Sequence, residues 1–137
     1  MVEVETVQAL AGAGLAGDRY STGTGSFSRK QIGRRQVTLV NSIFFRDSGF
    51  EYFESRRNIV THGVELMWLI GREFQIGEAL LRGQQYCDPC LRPSHLSGKK
   101  HKFLEAFLDR GGLVAEVIEG GTITKGDTII IKALPHE

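Results

Sequence analysis

The chain has 137 residues, 41% apolar and 24% charged, which suits one hydrophobic core and a single domain over 1–137. Seventeen basic side chains against 16 acidic ones leave a formal charge of +1, so bulk attraction to nucleic acid is excluded and any cationic site has to be local. An aromatic content of 9% with only three prolines excludes a disordered tail, and no apolar run approaches the roughly 18 residues that a membrane helix needs.

The opening Met1-Val2-Glu3-Val4-Glu5 carries acids where a secretory signal would carry a basic and then a long apolar stretch. A cytoplasmic setting is expected. Residues 2–7 alternate weakly as a strand, and the glycine-rich segment 12–17 follows as a turn. Ser, Thr, Gly and Lys/Arg dominate 20–33, which cannot pack a core and reads as a long surface loop of functional type. Residues 35–40 form a clear strand. A short helix is expected over 42–47 before Ser48-Gly49, an extended strand over 56–60, and one or two helical turns over 64–70 closing on Gly71.

Residues 73–76 turn at Gly77-Glu78 into 79–82 as a hairpin. Over 102–110, Phe103 with Phe107 and Leu104 with Leu108 recur at i,i+4, and Gly111-Gly112 stops this helix, whose apolar face can cap a barrel end. Strands follow over 113–118, 122–124 and, after Lys125-Gly126-Asp127, 128–131. Seventeen glycines between short β-branched runs are the punctuation of a bent sheet. The fold class is mostly β, a mixed β-barrel with a few short capping helices.

Gly12-Ala13-Gly14-Leu15-Ala16-Gly17 matches the dinucleotide fingerprint by letter, but Asp18-Arg19-Tyr20-Ser21-Thr22-Gly23 is no helix and the βαβ context fails. It reads as a turn that lets backbone pass close to a neighbour, anchored by Asp18 and Arg19. The two cysteines stand as Cys87-Asp88-Pro89-Cys90, a spacing open to a metal pair, a redox dithiol or one reactive thiol. Pro93 removes a donor that a thioredoxin-type helix would need, and His95 and His101 lie too close in sequence to form the second half of a zinc finger. Cys87 reads as a small buried hydrophobe. Cys90, after a rigid proline and near Arg92, is the reactive candidate.

On an extended strand, Arg56 and Asn58 share a face. A guanidinium and an amide suit an oxyanion, to which Lys30 or Arg35 can add charge, although adjacent arginines such as Arg56 and Arg57 are commonly a solvated face. His62 beside Gly63 reads as a surface turn residue.

Taken in order, Gly14-Leu15-Ala16-Gly17-Asp18-Arg19-Tyr20, Arg35-Gln36-Val37-Thr38-Leu39-Val40, Arg57-Asn58-Ile59-Val60-Thr61-His62-Gly63-Val64-Glu65-Leu66, Leu69-Ile70-Gly71-Arg72-Glu73-Phe74-Gln75-Ile76-Gly77, Cys87-Asp88-Pro89-Cys90 and Gly126-Asp127 resemble the MOSC domain family, the C-terminal domain of molybdenum-cofactor sulfurases. The resemblance implies a mixed β-barrel that binds the molybdenum cofactor (molybdopterin) or carries sulfur. By motif position the catalytic and metal-ligating thiol is Cys90, as a persulfide or a molybdenum thiolate. Cofactor contacts fall to Arg56, Arg57, Asn58, Gly17, Asp18, Arg19 and Arg35.

The same resemblance implies a separate cysteine desulfurase or an electron-transfer protein as partner, and no pyridoxal-phosphate site in this chain. Many relatives carry an acid after the strand where Asn41-Ser42 stands here, and an extra strand before Val2. Lack of that strand is expected to expose an edge and favour a homodimer. A molybdenum-dependent reductase component acting on N-hydroxylated compounds is the alternative activity. A non-catalytic binding barrel and a CxxC dithiol redox protein are alternatives from other classes.

Overall fold

A computed structural model describes residues 4–16, 36–46, 48–55, 57–87, 107 and 110–132. Among these lie nine strands: β1 Thr6–Leu10, β2 Gly14–Leu15, β3 Val37–Asn41, β4 Ile59–Thr61, β5 Glu73–Ile76, β6 Ala79–Tyr86, β7 Leu113–Glu119, β8 Gly121–Thr124 and β9 Ile129–Ile131. Six form one sheet in the order β4-β3-β7-β6-β5-β9, and three form a second in the order β2-β1-β8. Only β3 with β4 is parallel; the other ladders are antiparallel. The result is a curled, mixed, mostly-β half-barrel with almost no helix among the described residues, and the mostly-β class is as the sequence predicts.

Two shifts of register in the β6–β7 ladder, at Leu80/Leu81 and at Gly83/Gln85, mark bulges, the usual way a sheet gains extra bend and twist. Ala79, Leu81 and Gly83 point inward along β6 while Arg82 faces out between Glu73 and Glu116. The main core gathers Leu39, Leu66, Leu69, Phe74, Leu81 and Leu113 with their neighbours. Every residue of β3 is buried, because its other face also packs. There Val40 meets Phe45, Phe50 and Phe107 in a second cluster, whose rings contact edge to face at 4.9 Å for Phe45–Phe107.

The expected hairpin over 73–82 and the strands of the last third form. The short helical segments are single 3₁₀ turns, Ser42–Phe45 and Leu66–Leu69, and a third turn, Tyr52–Ser55, had no clear periodicity to announce it. The strand expected from 56 begins only at Ile59, since Asn58 sits in a bend held by Thr38. Within the glycine-rich segment, Gly14 has φ +115° and a Cβ there would stand 2.5 Å from the Gln36 carbonyl oxygen, so the close-passing turn is what the residues form. The loop 20–33 lies outside the described residues, as does the helix 102–110 apart from Phe107 and Arg110. No helix among the described residues is long and apolar enough to cross a membrane.

Candidate functional site

Strand directions decide which loops meet. β3 and β4 run parallel, and β7 is antiparallel to both β3 and β6, so β3, β4 and β6 all point one way. Asn41, Thr61 and Tyr86 therefore end at the same edge of the sheet, where β7 begins at Leu113. Leu113 lies in register with Leu39 on one side and Tyr86 on the other.

The entry to β7 is clamped from three directions. The Gly111 N–H donates to the Tyr86 hydroxyl at 3.3 Å, the Arg57 Nε donates to the Gly111 carbonyl at 2.8 Å, and the Cys87 N–H donates to the Gly112 carbonyl at 2.9 Å. Gly112 has φ +109°, and a Cβ there would overlap the Leu39 carbonyl oxygen, so only glycine lets β7 approach β3 this closely. The second cluster holds Phe107, whose carbonyl accepts from the Arg110 N–H at 2.8 Å.

Beside the clamp opens a hollow of about 40 Å³, lined among the described residues by Asn41, Phe44, Glu65, Leu66, Met67, Tyr86, Arg110 and Gly112. Asn41 is only 9% exposed, and its Oδ1 accepts from Thr61 Oγ1 at 2.9 Å. Its amide nitrogen finds no acceptor among the described residues. The Arg110 guanidinium lies 5.3 Å from the Phe44 ring centroid, within cation–π range, and pairs with no acid among the described residues. Glu65 Oε1 accepts from the Met67 N–H at 3.4 Å, capping the 3₁₀ turn that carries Met67. Close by in sequence, the exposed His62 places Nδ1 2.8 Å from Ser42 Oγ, a surface turn residue as expected.

Of the residues expected to form the site, Arg57 and Asn58 are described. Arg57 is buried, with Nη1 donating to the Ser55 carbonyl at 3.3 Å besides its bond to Gly111. Asn58 Oδ1 accepts from the Thr38 N–H at 2.8 Å and from Thr38 Oγ1 at 3.0 Å. Thr38 lies three residues before Asn41, so Asn58 stands roughly 10 Å from the hollow along β3. Cys90, Arg56, Gly17, Asp18, Arg19 and Arg35 lie outside the described residues. Cys87 is a free thiol with no exposed surface, matching its reading as a small buried hydrophobe. No group of three or more His, Cys, Asp or Glu among the described residues could hold a metal ion.

Sequence reasoning gave no role to Glu65, which falls inside the motif run 57–66, nor to Tyr86 and Arg110, which carry no motif. Asn41 did leave a trace, as the neutral residue where an acid is common.

The MOSC domain model matches residues 27–130. The chain belongs to the MOSC domain family. That family comprises molybdenum-cofactor-binding or sulfurase-like domains. Among solved structures, the YuaD protein of Bacillus subtilis is similar, with a TM-score of 0.76 and 18% identity over 96% of this chain and 86% of that one. YiiM of Escherichia coli gives a TM-score of 0.70 and 17% identity, covering 97% of this chain but only 65% of its own length. YiiM of Geobacillus stearothermophilus gives 0.60 and 16%, covering 72% and 55%. At these identities the likeness shows the fold alone. No curated protein matches the sequence.

Proposed function

We propose that this MOSC domain binds the molybdenum cofactor, or passes sulfur to it, through Cys90. The observation that carries the reading is the position of Cys87: its N–H is fixed on Gly112 at the sheet edge where the hollow opens. Three residues of chain span at most about 11 Å, which bounds the reach from Cys87 to Cys90.

The hollow of about 40 Å³ is too small for a pterin cofactor. In this reading the cofactor lies along the surface toward Asn58, with Arg56 as the phosphate contact, Arg57 shaping the wall, and Arg35 with Gly17, Asp18 and Arg19 closing it. When bound, the cofactor supplies a redox-active metal for which a thiolate is a suitable soft donor. As a sulfur carrier, Cys90 thiolate attacks the terminal sulfur of a donor persulfide and the donor's own thiolate leaves, which requires a separate desulfurase. Acting as a reductase of N-hydroxylated compounds, the domain would take electrons from a separate protein. A cytoplasmic setting suits either chemistry, since both need a reduced thiol.

The test is to purify the protein from a cofactor-competent host and measure molybdenum, fluorescent pterin oxidation products and persulfide labelling. Cys90→Ser is expected to lose metal or persulfide while Cys87→Ser keeps both. Equal behaviour of the two variants and the parent, with no persulfide in any, overturns the reading. Full pterin content in Arg56→Ala removes the proposed phosphate contact.

A further inference from the structure

The groups around the hollow form an unusual set. The Asn41 amide nitrogen is a donor in a side chain more than nine-tenths buried, with its oxygen already taken by Thr61 and no acceptor for its hydrogens among the described residues. Buried donors are nearly always paired, so this one asks for a ligand. Arg110 adds a second donor, stacked on Phe44. Glu65 adds an acceptor, and the two opposite charges line the same hollow without pairing. Phe44 and Met67 supply apolar walls.

Three constraints then select a ligand. The volume of about 40 Å³ takes about three waters, or a planar group of similar size. Arg110 and Glu65 cancel in charge, so neither an anion nor a cation is favoured: a carboxylate would face Glu65 and an amidinium would face Arg110. A group with an acceptor oxygen beside an N–H satisfies all three polar side chains. We propose that the hollow is a substrate subsite for a neutral planar amide-type group, its carbonyl oxygen on Asn41 Nδ2 and Arg110 and its N–H on Glu65. The functional meaning, a substrate group bound at the sheet edge that carries Cys87, rests on the reading above. Binding at the hollow needs no metal and no thiol.

The isosteric trio acetamide, acetate and acetamidinium separates the alternatives by charge alone. Titrated into ¹⁵N-labelled cofactor-free protein, acetamide is expected to give a saturable shift of the Asn41 side-chain NH₂ resonances and to bind at least about tenfold more tightly than either ion, the scale of one hydrogen bond to a charged group. Glu65→Gln is expected to weaken acetamide about tenfold and to admit acetate, and Arg110→Gln to admit acetamidinium. Both replaced side chains are exposed, so the fold is retained. Cys90→Ser should leave all three titrations unchanged, which keeps failure of the cofactor reading distinct from failure here. Tightest binding by acetate, no saturation by any probe, or indifference to Glu65→Gln each overturns the proposal.

Discussion

Replacing Arg57 by Ala tests whether this side chain holds the sheet edge together. The guanidinium is 5% exposed and bridges the Gly111 carbonyl at 2.8 Å and the Ser55 carbonyl at 3.3 Å. A hydrogen bond from a charged donor contributes about 1.5–3 kcal/mol, and the longer contact belongs at the low end, so truncation should cost about 3–5 kcal/mol. That is a large part of the roughly 5–15 kcal/mol that keeps a domain folded. With a urea slope near 2 kcal/mol/M, the midpoint should fall by about 2 M. Arg57→Lys keeps the charge but not the fork and should recover less than half of the loss. Amide hydrogen exchange at Gly111 and Gly112 should rise in both variants, because the clamp on that turn is gone. If Arg57 instead served only a bound anion, the cofactor-free variant would sit within about 0.5 kcal/mol of the parent. A midpoint shift below about 0.5 M would refute the structural role.

Gly112→Ala places a Cβ on the Leu39 carbonyl at a φ of +109°, and should cost about 3 kcal/mol or more in thermal or urea melts. A parent-like melt would mean that β7 and β3 do not approach as closely as described. Thr61→Val keeps the shape but removes the donor to Asn41 Oδ1, leaving a buried carbonyl unpaired at about 1–3 kcal/mol. It should also move the Asn41 side-chain NH₂ resonances, and an unchanged spectrum would count against the Thr61–Asn41 pair.

Strands with strong local signals were legible from sequence. Glu73–Ile76 and Ala79–Tyr86 alternate around a Gly-Glu turn, Leu113–Glu119 is a mostly apolar run between Gly112 and Gly120, and Ile129–Ile131 is an apolar run after the Gly126-Asp127 turn. The start of β4 was not legible, because Asn58 looks extended by composition but is drawn into a bend by hydrogen bonds to Thr38, a partner 20 residues away. The 3₁₀ turns were only half visible: Met67, Trp68 and Leu69 have apolar letters, yet Trp68 is 74% exposed and Leu69 fully buried, a split that periodicity over four residues cannot resolve. At the site, the CxxC spacing singled out the chain around Cys87. Glu65, Tyr86 and Arg110 meet only because β6 ends where β7 starts, and that is a property of sheet order rather than of any local pattern.

The parallel β3–β4 pair explains why the hollow forms where it does. A parallel partner cannot follow through a tight hairpin, so after β3 the chain must return along the sheet before β4 begins. That return carries the 3₁₀ turns Ser42–Phe45 and Tyr52–Ser55, whose Phe45 and Tyr52 rings pack at 4.9 Å. Phe45 and Phe50 bury the far face of β3 together with Phe107. The same return delivers Arg57 to the carbonyl of Gly111, so the crossover fixes both ends of the turn into β7: Phe107 by apolar packing and Gly111 by a charge-assisted bond. Cys87 then hangs from a rigid edge rather than from a loop, through its bond to Gly112. Any site built at this edge gains from the arrangement, because the precision of a site follows the rigidity of the element that carries it.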